Sequence, residues 1–144
     1  MKVSFERLNG YQWVEYDEDL YTISDEILKN PPQNIYDGQC SEIYAPNFLD
    51  SVKMSDYKET IFSLCKKLEH GGKIILGGID LIELMKNVQN YTINVEEFNT
   101  IVYNESRQGV FTLNDTVENL IEIGLKIQRK QLNGYHFLVE AIRL

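Results

Sequence analysis

The sequence predicts an α/β domain built on a mixed sheet, parallel in part and antiparallel at its end, with helices on its faces. Three observations carry this. Strand-type and helix-type segments alternate through the middle of the chain, each bounded by glycine, proline or a capping residue. The run Lys73-Ile74-Ile75-Leu76 stands between Gly71-Gly72 and Gly77-Gly78, the composition of a fully buried strand. Two further strand-like runs, 125–132 and 135–142, close the chain around Asn133-Gly134, a dipeptide suited to a tight type I′ turn.

Residues 2–8 and 11–18 read as strands flanking Asn9-Gly10, so 1–19 is expected to be a second hairpin of the same kind. Residues 20–28 form a short helix or an irregular segment. The stretch 29–34 is a loop, because Pro31-Pro32 excludes a helix interior. Residues 41–45 make a short strand stopped by Pro46. Ser55 is placed to cap a helix through about Glu69, with Tyr57, Ile61, Leu64, Cys65 and Leu68 on one face. Gly71 is placed to end it in the left-handed conformation. Asp80 with Glu83 starts a helix carrying Leu81, Leu84, Met85 and Val88, and Asn94 with Glu97 repeats the device before Phe98, Ile101 and Val102. Thr112 caps a fourth helix with Leu113, Val117, Leu120 and Ile121 inward, closed by Gly124. The hairpin 125–142 follows. The expected buried centre is Ile43, Ile74, Ile75, Leu76, Leu64, Leu68, Leu120 and Phe137. Leu8-Asn9-Gly10-Tyr11 recurs as Leu132-Asn133-Gly134-Tyr135, and shared turn chemistry explains the echo more simply than duplication.

Length and composition narrow the function. A chain of 144 residues suits a single domain, 1–144, and can bury roughly two thirds of its unfolded surface without disulfide staples. Two cysteines, Cys40 and Cys65, do not make a disulfide scaffold, and Cys65 lies on an apolar helix face. The net charge of −8, from 22 acidic and 14 basic residues, argues against nucleic acid as a partner, since phosphate binding demands a basic face. The densest basic stretch, 126–130, reads as a solvated strand edge. No apolar run approaches the ~20 residues of a membrane helix, and MKVSFERLNG carries charges where a leader would be apolar. The expectation is a cytoplasmic protein that engages neither membrane nor nucleic acid.

Most side-chain chemistries lack support. His70 and His136 fall in unrelated elements, so neither a histidine triad nor a metal site is expected, and no catalytic residue is assigned. His70 reads as a neighbour of a helix C-terminus. The paired glycines lack the Lys-Ser/Thr of a phosphate loop. Glu96-Glu97 suits a helix N-terminus better than a glycosidase pair.

From Ile35 onward the chain resembles the second half of class I S-adenosylmethionine-dependent methyltransferases. Tyr36-Asp37-Gly38-Gln39-Cys40-Ser41-Glu42-Ile43-Tyr44-Ala45 is similar to the family's loop and strand ending near the cofactor, and Asn47-Phe48-Leu49-Asp50 to the turn that follows. Residues 66–76, with Leu68, His70-Gly71-Gly72 and Ile74-Ile75-Leu76, resemble its helix, Gly-Gly and strand passage, with His70 where proline is usual. The closing hairpin matches its antiparallel last pair. The resemblance implies a methyltransferase-like, Rossmann-like mixed sheet.

The front end departs from that pattern. The family places a strand, a glycine-rich loop and a helix before an acidic residue that takes the cofactor's ribose. Here only Glu6-Arg7-Leu8-Asn9 separates Phe5 from Gly10, with no G-x-G. A parallel crossover needs a dozen or more residues, which is why a hairpin is expected. By the resemblance, Glu15 or Asp17 matches the ribose acid, Asp25 falls near the adenine side, and Tyr44, Ala45 and Asn47 line the strand end used for cofactor and substrate. Two functions follow as expectations. One is a degenerate methyltransferase-like domain acting in binding or assembly, without cofactor. The alternative is a minimal active S-adenosylmethionine-dependent enzyme, with the cofactor gripped differently or a partner chain completing the pocket. The aromatic residues Tyr11, Trp13, Tyr16 and Tyr21 suit an interface, and a homodimer through the N-terminal hairpin around Trp13 is expected.

Overall fold

Six strands make one mixed sheet in a computed structural model that describes residues 1–6, 9–13, 36–104 and 107–144. The strands are β1 (Lys2–Ser4), β2 (Gln12–Trp13), β3 (Cys40–Ala45), β4 (Leu68–Ile79), β5 (Leu125–Asn133) and β6 (His136–Arg143), in the order β2-β1-β3-β4-β6-β5. β1 runs parallel to both β2 and β3, and β3 parallel to β4. β6 is antiparallel to both β4 and β5. The helices are α1 (Tyr57–Lys66), α2 (Leu81–Gln89), α3 (Val95–Val102) and α4 (Leu113–Ile123).

The capping residues start three helices as expected. Asp80 accepts from Glu83 N at 2.8 Å, Asn94 from Glu97 N at 2.8 Å, and Thr112 from Asp115 N at 3.1 Å. Gly124 closes α4 at φ +105°. Asp80 does more, since its other oxygen accepts from Leu113 N at 2.7 Å. One buried carboxylate therefore ties the first turns of α2 and α4 together.

Strand alternation decides which side of the sheet is packed. Ile43 and Ala45, Ile74 and Leu76, and Phe137, Val139 and Ala141 join Ile61, Leu64, Cys65 and Leu120 of α1 and α4 in the main core. Burying each large apolar side chain there contributes about 1.5–3 kcal/mol. A smaller cluster of Ile79, Leu84 and Ile93 holds α2 and α3. The opposite face carries Tyr44, Ile75, Leu138 and Ile142, all half-buried and in neither cluster. Among the described residues, no helix is long and apolar enough to cross a membrane.

The expected N-terminal hairpin is corrected. Val3 lies opposite Gln12 and Ser4 opposite Trp13 in parallel register. The dozen-residue rule holds for a crossover that lays a helix on the sheet. Here β1 is three residues long, so the return path is only about 10 Å, and the seven residues 5–11 can reach about 23 Å. Glu15, Asp17, Tyr16, Tyr21 and Asp25 lie outside the described residues.

Other boundaries move for physical reasons. α1 begins after a 3₁₀ turn at Met54–Asp56, with no side-chain cap from Ser55 or Asp56. It ends at Lys66 rather than Glu69, because Gly38 N and Cys40 N take the carbonyls of Lys66 and Lys67 at 2.9 and 2.8 Å. Gly71 and His70 therefore fall inside β4. Cys40 faces Leu68 and Glu42 faces Lys73, so β4 bulges there, and Gly71 takes φ +79°. Gly77-Gly78 also lie inside β4. Ile75 leaves the expected core, since Ile74 and Leu76 point inward and the residue between them must point the other way. Ile121, expected inward, is 56% exposed, and Leu81 and Met85 are exposed too.

Candidate functional site

The chain leaves β1 in one direction to form β2, then returns on its other side to form β3. Ligands of open α/β sheets bind outside the carboxyl ends of the strands at such a reversal. The candidate site is therefore the crevice after Ser4 of β1 and Ala45 of β3, flanked by the end of β4.

Backbone pairing builds its walls. Phe5 N donates to Tyr44 O at 3.0 Å, and Glu6 N donates to Oγ of the fully buried Ser4 at 3.0 Å. Asn47 Nδ2 donates to Glu6 Oε1 at 2.6 Å, joining the two strand ends across the crevice. Beneath this link the rings of Phe5 and Phe48 lie 4.7 Å apart, tilted by 53°. His136 Nε2 shares a hydrogen bond of 3.1 Å with Pro46 O.

The end of β4 is glycine because two segments press on it. A Cβ at Gly77 would stand 2.4 Å from the carbonyl oxygens of both Pro46 and Phe137. At Gly78 it would approach Leu49 Cβ at 3.1 Å and Asp50 Oδ1 at 3.3 Å. Asp50 Oδ1 also accepts from Ile79 N at 3.3 Å and lies 2.7 Å from Arg107 Nη1, an ionic contact without hydrogen-bond alignment. Asp50 and Arg107 thus fasten the turn after β3 to the end of β4.

The expected site residues separate. Asn47 is in the crevice. Ala45 is fully buried in the main core and offers no side chain to a ligand. Tyr44 points to the face opposite the main core, its ring 6.2 Å from that of Tyr11. Partial burial first, and then a hydrogen bond to Glu42, push the Tyr11 hydroxyl up to about 12. Glu6, Asp50, Arg107 and His136 are not singled out for this site by sequence, and their partners lie far along the chain, Glu6 pairing with a residue 41 positions away. No local spacing announces such contacts. No cluster of three metal-binding side chains occurs among the described residues.

No protein-family model matches the chain, and no curated protein matches it. Solved structures do. An S-adenosylmethionine-dependent methyltransferase from Mesorhizobium loti superposes with a TM-score of 0.61 at 12% identity, covering 96% of this chain and 72% of that one. Magnesium protoporphyrin IX methyltransferase from Synechocystis, solved with bound SAH, gives 0.53 at 15% identity over 76% and 47%. An O-methyltransferase family protein from Burkholderia thailandensis gives 0.53 at 11% identity over 74%, and this chain spans only 31% of its length. The fold is that of a class I methyltransferase, an α/β Rossmann-like sheet.

Proposed function

We propose that this chain is a degenerate methyltransferase-like domain that acts in binding or assembly. One observation carries the reading. In class I methyltransferases the backbone N–H groups after the first strand hold the cofactor's amino-acid portion. Here the first two such groups, of Phe5 and Glu6, are already committed to Tyr44 O and Ser4 Oγ. The Glu6–Asn47 hydrogen bond ties the ends of β1 and β3 together at the surface, and the Phe5–Phe48 contact packs beside them. These residues do not fit S-adenosylmethionine. A ligand there would have to break internal hydrogen bonds, each worth about 0.5–1.5 kcal/mol net, before gaining any of its own.

Calorimetry with S-adenosylmethionine and S-adenosylhomocysteine tests this. No binding heat at millimolar ligand is the expected result. Micromolar affinity would overturn the reading in favour of a minimal active enzyme that uses S-adenosylmethionine, and transfer of a labelled methyl group with a partner chain present would do the same.

A further inference from the structure

Burial divides the four helices into two pairs. α1 buries Tyr57, Thr60, Ile61, Leu64 and Cys65, and α4 buries Thr116, Asn119 and Leu120. α2 buries Leu84 alone, and α3 buries none of its residues. Neither α2 nor α3 contributes to the main core. Their apolar residues Leu84, Val88, Phe98 and Ile101 belong to the small cluster, with Ile79, Val110 and Tyr135 on the sheet side. Elements with so little apolar burial are the first to open in a native fold.

The ends of this helical excursion are pinned. Asp80 N donates to Tyr135 O and Leu81 N to Phe111 O, both at 2.8 Å, and Leu113 N donates to Asp80 Oδ1 at 2.7 Å. Gln108 N donates to Asp50 O at 2.8 Å, and a Cβ at Gly109 would stand 2.4 Å from Val52 O. From this fixed foot the Arg107 side chain reaches back to α3. Its Nε donates to Ile101 O in the last helical turn at 2.6 Å, while its Nη1 lies 2.7 Å from Asp50 Oδ1. A cation suits the carbonyl end of a helix, and here the same guanidinium is paired with a carboxylate of the turn after β3. The Arg107 and Asp50 side chains are 12 and 21% exposed, so solvent screens the pair only in part.

We propose that α2 and α3 form a cap that opens as one unit about its pinned ends, with the Arg107–Asp50 pair as its latch. Opening parts Leu84, Ile93 and Phe98 from Ile79 and Tyr135 at the end of the sheet. It also frees Asp50 from Arg107, which loosens the turn that walls the crevice after β3. The device needs neither cofactor nor partner and stands apart from the functional reading above.

Native-state hydrogen exchange of the full chain tests the latch. Asp50→Asn keeps an oxygen for Ile79 N but removes the charge facing Arg107. The amides of α2 and α3 are expected to exchange together about tenfold faster or more, while the slowest amides of β4 and β6 keep their rates. Arg107→Gln should do the same. The double variant should exchange no faster than the faster single one, because either change alone already removes the latch. If Asp50→Asn fails to fold by circular dichroism, Arg107→Lys serves, since its single ammonium keeps the charge but loses the fork that joins Ile101 O to Asp50. It should speed the same two helices and nothing else. Faster exchange throughout the sheet would make the pair a global staple, and unchanged rates or separate responses of α2 and α3 would leave no latched unit. Additive effects in the double variant would show that the two side chains act apart. Each of these results would overturn the proposal.

Discussion

The same tetrapeptide opens two different structures in this chain. Leu132-Asn133-Gly134-Tyr135 joins β5 to β6 as an antiparallel hairpin, whereas Leu8-Asn9-Gly10-Tyr11 leads into β2, which runs parallel to β1. Both glycines take positive φ, +84° at Gly10 and +64° at Gly134. The shared feature is one glycine at positive φ. Asn133 belongs to β5 and pairs with His136, so the loop is Gly134-Tyr135 rather than the expected type I′ turn on Asn133-Gly134. Something besides turn chemistry chose the pairing. Around Gly134 the strands are nine and eight residues long, and Phe137, Val139 and Ala141 alternate inward, so one register buries all three. Around Gly10 the strands are three and two residues long. Val3 and Ser4 are consecutive and both buried, the pattern of a central strand rather than of a one-sided hairpin. Pairing with β3 on its other edge fixes β1, and β2 follows.

The largest expected contrast comes from emptying each region. Phe137 is fully buried between the sheet and its helices, and Phe137→Ala should cost about 3–5 kcal/mol. Val3→Ala removes less volume from a shorter strand and should cost about 1–3 kcal/mol. Urea titration of both variants checks the order. Equal losses would mean that the N-terminal strands are as integral to the cooperative unit as the C-terminal hairpin.

The accuracy of the sequence reading follows the same divide. Asp80, Asn94 and Thr112 cap their helices as read, because a capping bond spans three residues and is written locally. The fold class and the hairpin around Gly134 were legible from periodicity. The parallel β1–β2 pairing was not, because the deciding contacts run from Lys2, Val3 and Ser4 to Glu42, Ile43 and Tyr44. The candidate site is harder still. Asn47 follows β3, where the resemblance puts a ligand-lining residue, whereas Glu6 comes beside it only once β1 and β3 lie side by side.

Alkaline titration should sharpen the comparison. Among the described residues, the four groups held above their ordinary range all precede Lys66. Burial pushes the Cys40 thiol up to about 11, the Cys65 thiol to about 12 and the Tyr57 hydroxyl to about 12. Tyr11 stands at about 12 through partial burial and Glu42. In each case the folded state favours the protonated form. The contribution is complete below the ordinary values, 9 for the thiols and 10 for the phenols, and is lost as pH rises through the folded ones. Through Cys65 alone the fold should weaken steadily as pH rises above 9. Urea midpoints at pH 8, 9.5 and 10.5 should fall in step, and Cys65→Ala should flatten part of the slope. A midpoint unchanged across that range would show that neither thiol is buried as described.

The smallest effect discriminates best between the two turns. Gly10→Ala and Gly134→Ala each force a side chain into the left-handed region, at about 1 kcal/mol, and neither added Cβ meets an atom within 4 Å. The intrinsic penalty is therefore equal, and only the structure around each turn can separate the variants. Strain at Gly134 falls on a hairpin continuous with the main core through Phe137 and Val139, so it should lower global stability by the full amount. Strain at Gly10 falls on a two-pair ladder that can open alone. Native-state hydrogen exchange should then show faster exchange at residues 11–13 in Gly10→Ala, with the slowest core amides unchanged. Gly134→Ala should speed those slowest amides together. If Gly10→Ala also accelerates the amides of β4 and β6, the N-terminal strands unfold only with the whole sheet, and the two turns, unlike in pairing, would be alike in energy.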